Sequence, residues 1–213
     1  MFLQKNILWI AAGDSVTESE RDFCAKIWKP SFLGQGYVHL LDSAIRAFLP
    51  GHGVRVINKG VGGDTSNLLK DRWQSDVLSL NPDLISIMIG VNDVWRHFDG
   101  YGIDKDLITI EKFQENYRYM IKSALDYNCK VVVLSPVMFE SNKNDEMCNL
   151  VRQFSDAAKK IAEEFSVPFL NIQETIDNAL KSCYSSVFSA DRVHPNSAGH
   201  MLIAGEIWKF FTS

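Results

Sequence analysis

Five short aliphatic runs constrain this chain more than any other feature: residues 6–12, 54–58, 84–89, 130–135 and 167–172. They are rich in Val, Ile and Leu and do not alternate with polar residues. A strand with one wet face must alternate; a strand covered on both faces need not, and that is how parallel strands read. Between the runs, apolar residues recur at helical spacing. Leu68, Leu69, Arg72, Trp73, Val77 and Leu80 form one stripe, and Met147, Leu150, Val151, Phe154, Ala158, Ile161 and Phe165 another. A third helix is expected around Phe113, Tyr117, Met120, Ile121 and Ala124, and a last one over residues 196–211, burying Leu202, Gly205, Trp208 and Phe211.

Strands alternating with helices imply a three-layer, doubly wound α/β fold with a five-stranded parallel sheet, for which we expect the flavodoxin-like order 2-1-3-4-5. Ligands of such sheets bind beyond the carboxyl ends of the strands, where the order reverses. Residues 99–110, with Gly100 and Gly102, read as the longest loop. A length of 213 residues fits one domain, 1–213. The net charge of -4 and the lack of basic blocks argue against nucleic-acid or anionic-lipid partners. No apolar run approaches the roughly 18 residues of a membrane span. Residues 7–12 follow Lys5 but are shorter than the roughly 7–15 residues of a secretory core, so they read as the first strand and the expected location is the cytoplasm. Cys24, Cys129, Cys148 and Cys183 are scattered without a CxxC, which suits a reducing compartment.

Four strand ends carry residues able to do chemistry. The first run leads into Gly13-Asp14-Ser15-Val16-Thr17, the second into Asn58-Lys59-Gly60-Val61-Gly62-Gly63-Asp64-Thr65 and the third into Gly90-Val91-Asn92-Asp93. Asp191-Arg192-Val193-His194-Pro195 precedes the last helix. Singly, each has a bland reading: a helix cap, an ordinary glycine turn, a helix start, a structural histidine. Together, at one rim, they supply a nucleophile, amide donors for an oxyanion, and a base with its orienting carboxylate.

The four blocks resemble those of the SGNH (GDSL-type) hydrolase superfamily, over nearly the whole chain. By that resemblance Ser15, Asp191 and His194 form a catalytic triad. The amides of Ser15 and Gly63 and the side chain of Asn92 form the oxyanion hole, with Gly62 as the competing backbone donor. Val16 stands where the name-giving motif has Leu, a change between apolar residues. The chemistry follows: a serine hydroxyl needs a neighbouring base, imidazole accepts a proton near neutrality, and a carboxylate on the far ring nitrogen holds its tautomer. No metal or organic cofactor is required. His39, His52 and His200 lack metal-binding spacing, and His97 is expected at the surface.

The longer stretches around Ile57-Asn58-Lys59-Gly60, Lys70-Asp71-Arg72-Trp73 and Gly90 to Arg96 resemble intracellular carbohydrate acetylesterases, acetylxylan esterases in particular. That resemblance implies an acetylated sugar as substrate and a homo-oligomer. Asp14, Trp95, Arg96 and Tyr184, with Phe188 beside it, are the expected substrate contacts; Trp95 and Phe188 read equally well as core residues. Arg192 is expected to hold its loop by pairing with a carboxylate. The branch often has a bulky aromatic before the catalytic Asp, whereas here Ala190 stands there. Two alternatives remain: a thioesterase or lysophospholipase with the same blocks, and a non-catalytic flavodoxin-like binding or signalling module. The first needs an apolar groove; the second should lack part of the triad.

Overall fold

In the computed structural model, which describes residues 1–27, 29–99 and 107–213, the sheet has five parallel strands. They are β1 (Leu8–Gly13), β2 (Arg55–Gly60), β3 (Leu84–Met88), β4 (Lys130–Leu134) and β5 (Phe169–Leu170), in the order β2-β1-β3-β4-β5. The chain turns back across the sheet after β2, so the crevice between β1 and β3 is the switch point. Register makes the rim flush: Gly13 lies opposite Gly60 on one side and Met88 on the other. The loops after β1, β2 and β3 therefore leave the sheet at one level.

Side-chain alternation along β1 feeds two cores. Leu8, Ile10 and Ala12 join a cluster with α3 (Ser66–Asp71), α4 (Val91–Trp95), α5 (Ile110–Asp126) and α6 (Glu146–Glu164). Trp9 and Ala11 point the other way, to α2 (Tyr37–Phe48), α7 (Ile172–Ala179) and α8 (Ser197–Thr212). A short α1 (Ser15–Glu18) follows β1 directly. On one face Phe113 of α5 meets Phe154 of α6 edge-on at 4.9 Å; on the other, Phe211 of α8 packs edge-on against Trp9 at 5.1 Å. Each such buried aromatic contributes about 1.5–3 kcal/mol by leaving water.

Several expectations need correction. The stripe from Leu68 to Leu80 is not one helix: α3 gives way to a π-turn at Trp73–Val77 and a 3-10 turn at Leu78–Leu80. Leu68 is exposed, and Leu69, Trp73, Val77 and Leu78 are the buried set. The break falls where Arg72 turns its guanidinium toward the sheet while Trp73 is buried with Nε1–H donating to Ser123 Oγ at 3.0 Å. In α8 the buried face is Gly199, His200, Ile203, Ala204, Ile207 and Phe211, so Leu202, Gly205 and Trp208 are only partly covered. β2 and β5 are edge strands, and β2 alternates in burial; the fully buried pattern holds for β1 and β3 and nearly so for β4. α7 follows the last aliphatic run with no gap and was not expected. The expected loop at 99–110 lies outside the described residues over 100–106. Among the described residues, no helix is long and apolar enough to cross a membrane.

Candidate active site

Ser15 opens α1 at the rim of β1. Asp14, the N-cap, turns its carboxylate back to accept the Val16 N–H at 3.0 Å. The α1 backbone presses so close to the end of β2 that a Cβ on Gly60 would lie 2.2 Å from Glu18 N, so only glycine fits there. Asn58, fully buried in β2, holds the far end of this turn: its amide donates to the Thr17 carbonyl at 2.7 Å and the Leu33 carbonyl at 2.9 Å.

The imidazole beside Ser15 comes from the loop before α8. Ser15 Oγ lies 2.9 Å from His194 Nε2, and His194 Nδ1 lies 2.6 Å from Asp191 Oδ2. The other carboxylate oxygen of Asp191 accepts the backbone N–H groups of Val193 at 3.0 Å and His194 at 2.8 Å. Burial alone raises the Asp191 pKa, but the His194 ring and these two amides outweigh it and bring it to about 2. A β-bridge between Ser189 and Pro195 closes the loop at its base. Arg192, left-handed at φ 71°, reaches out of it to Glu140 at 2.5 Å and Asp145 at 2.8 Å, the loop-holding role expected of it.

Opposite Ser15 stand the donors. The N–H groups of Ser15, Gly62 and Gly63 make no hydrogen bond to any described residue. Gly63 sits at φ 80°, a left-handed conformation that costs other residues roughly 1–2 kcal/mol. Asn92, 2 % exposed, spends one amide hydrogen on the Asp64 carbonyl at 2.9 Å, and its other amide hydrogen has no partner among the described residues. Asp93 accepts the Ser66 N–H at 2.9 Å and the Ser66 hydroxyl at 2.5 Å, pinning the start of α3. Arg72 ties the rim together: it donates to Asp64 and Asp76 at 2.7 Å each and to the Lys59 carbonyl at 2.9 Å, and Lys59 also pairs with Asp76. Asn58, Asp93 and Arg72 lie in the sequence blocks singled out above, but no role at the site was expected of them; their buried hydrogen bonds to other rim segments are visible only in the fold.

The expected substrate contacts fare unevenly. The Trp95 ring lies 5.7 Å from the His194 ring, tilted by 55°, so it walls the imidazole while packing on the core. Arg96 pairs with Asp99 at 2.7 Å, and its second terminal nitrogen lies 3.7 Å from where a Gly63 Cβ would be. Asp14 is 2 % exposed and capping α1, so it does not face a substrate; an N-cap carboxylate has to fold onto its own helix. Its pKa is raised to about 7, first by burial, against the pull of the Val16 N–H and with help from Asp93 and Asp64. Tyr184, 86 % exposed, lines a separate depression with Ser141 and Leu180–Cys183 and is not brought to Ser15. Phe188 stacks on Phe139 and belongs to the core.

A groove of about 400 Å³ opens from Ser15 and His194, lined by Glu18, Ser19, Glu20 and Gln35 on one wall and by 195–197 and His200 on the other. His200 was set aside in the sequence, yet it is built in. Its Nδ1 accepts the Tyr37 N–H at 3.2 Å, so the hydrogen is on Nε2, facing Ser19 Oγ at 3.1 Å. Burial holds its pKa down at about 4. Among the described residues, no three His, Cys, Asp or Glu side chains gather as a metal site.

Residues 11–202 match the family described as GDSL-like Lipase/Acylhydrolase. The chain is 34% identical over 192 residues to an acetylxylan esterase of Geobacillus stearothermophilus, covering 90% of this chain and 88% of that protein. The crystal structure of Axe2, an acetylxylan esterase from Geobacillus stearothermophilus, superposes with a TM-score of 0.94 at 31% identity over 100% of this chain and 97% of that one. LAE5, an alpha/beta hydrolase enzyme from the metagenome of Lake Arreo, Spain, does so with a TM-score of 0.94 at 29% identity, over 100% and 98%.

Proposed function

The chain belongs to the GDSL-like Lipase/Acylhydrolase family, and from that premise we propose that it is a single-domain serine esterase removing acetyl groups from xylo-oligosaccharides or closely related sugars. One observation carries the catalytic part: Ser15, His194 and Asp191 stand in hydrogen-bonded series, at 2.9 and 2.6 Å, beside N–H groups with no partner among the described residues.

In this reading His194 Nε2 takes the Ser15 proton as Oγ attacks the ester carbonyl. Asp191 holds the hydrogen on Nδ1 and stabilises the imidazolium that forms. The amides of Ser15 and Gly63 and the free amide hydrogen of Asn92 receive the oxyanion. His194 then gives its proton to the leaving sugar hydroxyl. Water, activated by the same imidazole, attacks the acetyl-serine; acetate leaves and Ser15 recovers its proton. Trp95 supplies a face for the sugar and Arg96 hydrogen bonds to its hydroxyls. The substrate assignment is supported by the likeness to acetylxylan esterases and by the hydroxyl, amide and carboxylate groups that line the groove. We place the protein in the cytoplasm, a reading supported by four free cysteines, two of them exposed.

The test is acetate release from acetylated xylo-oligosaccharides and from other acetylated sugars, with Ser15→Ala as control. Preference for the xylo-oligosaccharides, abolished in the variant, supports the assignment. A chain-length optimum near octanoate among p-nitrophenyl esters would transfer it to the thioesterase or lysophospholipase reading.

A further inference from the structure

The groove beside Ser15 is too large to be needed by an acetyl methyl, and its walls carry hydroxyls, amides and carboxylates. It is therefore the place for the hydroxylated leaving group, a step that rests on the esterase reading above. Its charge is one-sided. Glu18 and Glu20 line it, and no Lys or Arg does among the described residues; Arg96, given above a contact to the sugar hydroxyls, is outside this lining and has its charge balanced by Asp99. The Glu20 carboxylate is already engaged by the Gln35 amide at 2.9 Å. The Glu18 carboxylate makes no hydrogen bond or ion pair with any described residue.

Glu18 is also the one nearest the reaction centre. A Cβ on Gly62 would sit 2.8 Å from Glu18 Oε2 and 3.9 Å from Ser15 Cβ, so the carboxylate lies over the oxyanion loop because Gly62 leaves it room. The nearest cation in sequence, Arg21, attracts Glu18 through space without forming an ion pair, because its Nε donates to the Gly60 carbonyl at 2.8 Å and its guanidinium lies over the Phe23 ring. An uncommitted carboxylate in a concave wall accepts hydrogen bonds from hydroxyl or ammonium groups and repels a second anion brought within a few ångströms.

We infer that the leaving-group groove selects by charge, with Glu18 as the specificity-determining residue, admitting neutral and cationic hydroxylated leaving groups and rejecting anionic ones. Uronic-acid, phosphorylated and nucleotide-bearing esters fall in the rejected class; xylo-oligosaccharides and amino sugars fall in the admitted one.

The experiment is an equilibrium titration of the whole chain at pH 7 and low salt, followed by ligand-observed NMR. The probes are xylobiose, the glucosamine dimer, and an aldobiouronic acid in which glucuronic acid is joined to xylose. The neutral and cationic probes are expected to bind about tenfold tighter than the anionic one, a gap that narrows at high salt. In Glu18→Gln the gap should shrink at least threefold, and in Glu18→Lys it should reverse. Anionic binding equal to neutral in the wild type, or an unchanged gap in Glu18→Gln, overturns the proposal. Should either variant fail to fold, the wild-type series with its salt dependence still decides. Binding needs no turnover, so loss of the esterase reading, seen as no Ser15-dependent acetate release, stays distinguishable from loss of charge selection.

Discussion

Asn92 donates one amide hydrogen to the carbonyl of Asp64, 28 residues earlier in the chain and 2.9 Å away in space. That bond fixes the rotation of the side-chain amide and leaves its second hydrogen aimed by the first. An oxyanion donor oriented before the substrate arrives costs no reorganisation during reaction. Asn92→Ala is expected to lower kcat by about 10²–10³-fold with KM within a few-fold of the wild type. Steady-state kinetics on an acetyl ester checks it; an unchanged kcat removes Asn92 from the oxyanion hole.

Ser15→Ala removes the attacking atom and little else, since the one hydrogen bond of Ser15 Oγ among the described residues is to the His194 ring. Ester hydrolysis should fall by about 10⁴–10⁶-fold with a thermal midpoint within a few degrees of the parent. Retained turnover in that variant would end the triad assignment.

Asp191→Asn is expected to cut kcat by about 10⁴-fold, because an amide at this place no longer holds the Nδ1 hydrogen. Its pKa of about 2 lies below the ordinary 3.8, so the folded state binds this proton more weakly than the unfolded chain. Its stabilising contribution is complete above about pH 4 and is lost as pH falls toward 2. Acid unfolding of Asp191→Asn should therefore have a shallower pH dependence in that window, read by circular dichroism.

Asp14 works in the opposite sense. A pKa raised from 3.8 to about 7 means the folded protein holds the proton more tightly. Its contribution is complete below about pH 4 and is lost progressively as pH rises toward 7. Asp93, raised to about 6, adds in the same direction. Asp14→Asn keeps an oxygen for the Val16 N–H and deletes the titration. Urea midpoints between pH 4 and 7 should decline less in this variant than in the parent, and an equal decline refutes the assignment.

Arg72 binds two carboxylates and the Lys59 carbonyl, with Asp64 8 % and Asp76 29 % exposed at the side chain. Arg72→Met strands Asp64 in a largely buried place. A cost of about 2–3 kcal/mol is expected, reduced from the fully buried case by the water reaching Asp76. Because Asp64 carries the carbonyl that orients Asn92, kcat should fall as well. Arg72→Lys should not restore it, since an ammonium lacks the planar fork. Chemical denaturation and kinetics on both variants decide it.

The sheet and its order were legible in the sequence for a physical reason. Buried parallel strands cannot hide their aliphatic composition, and a flush rim puts function at their ends; which residue there is nucleophile or oxyanion donor came from the resemblance to SGNH hydrolases, with Gly62 and Gly63 left as competing donors. Periodicity was less reliable where local backbone yielded to tertiary demand: the helix expected from Leu68 to Leu80 breaks because Arg72 and Trp73 are drawn toward different partners.

What the sequence determined by itself was which residue types arrive at which strand end. What only the folded structure decided was direction. Asp14 turns inward as a cap while Ser15 beside it faces the groove, Tyr184 points away, and His200 and Glu18 come to line the groove. Those outcomes depend on the turn of a short helix and on contacts such as Tyr37 with His200, 163 residues apart. No local pattern encodes them, because each orientation is settled by what packs against it.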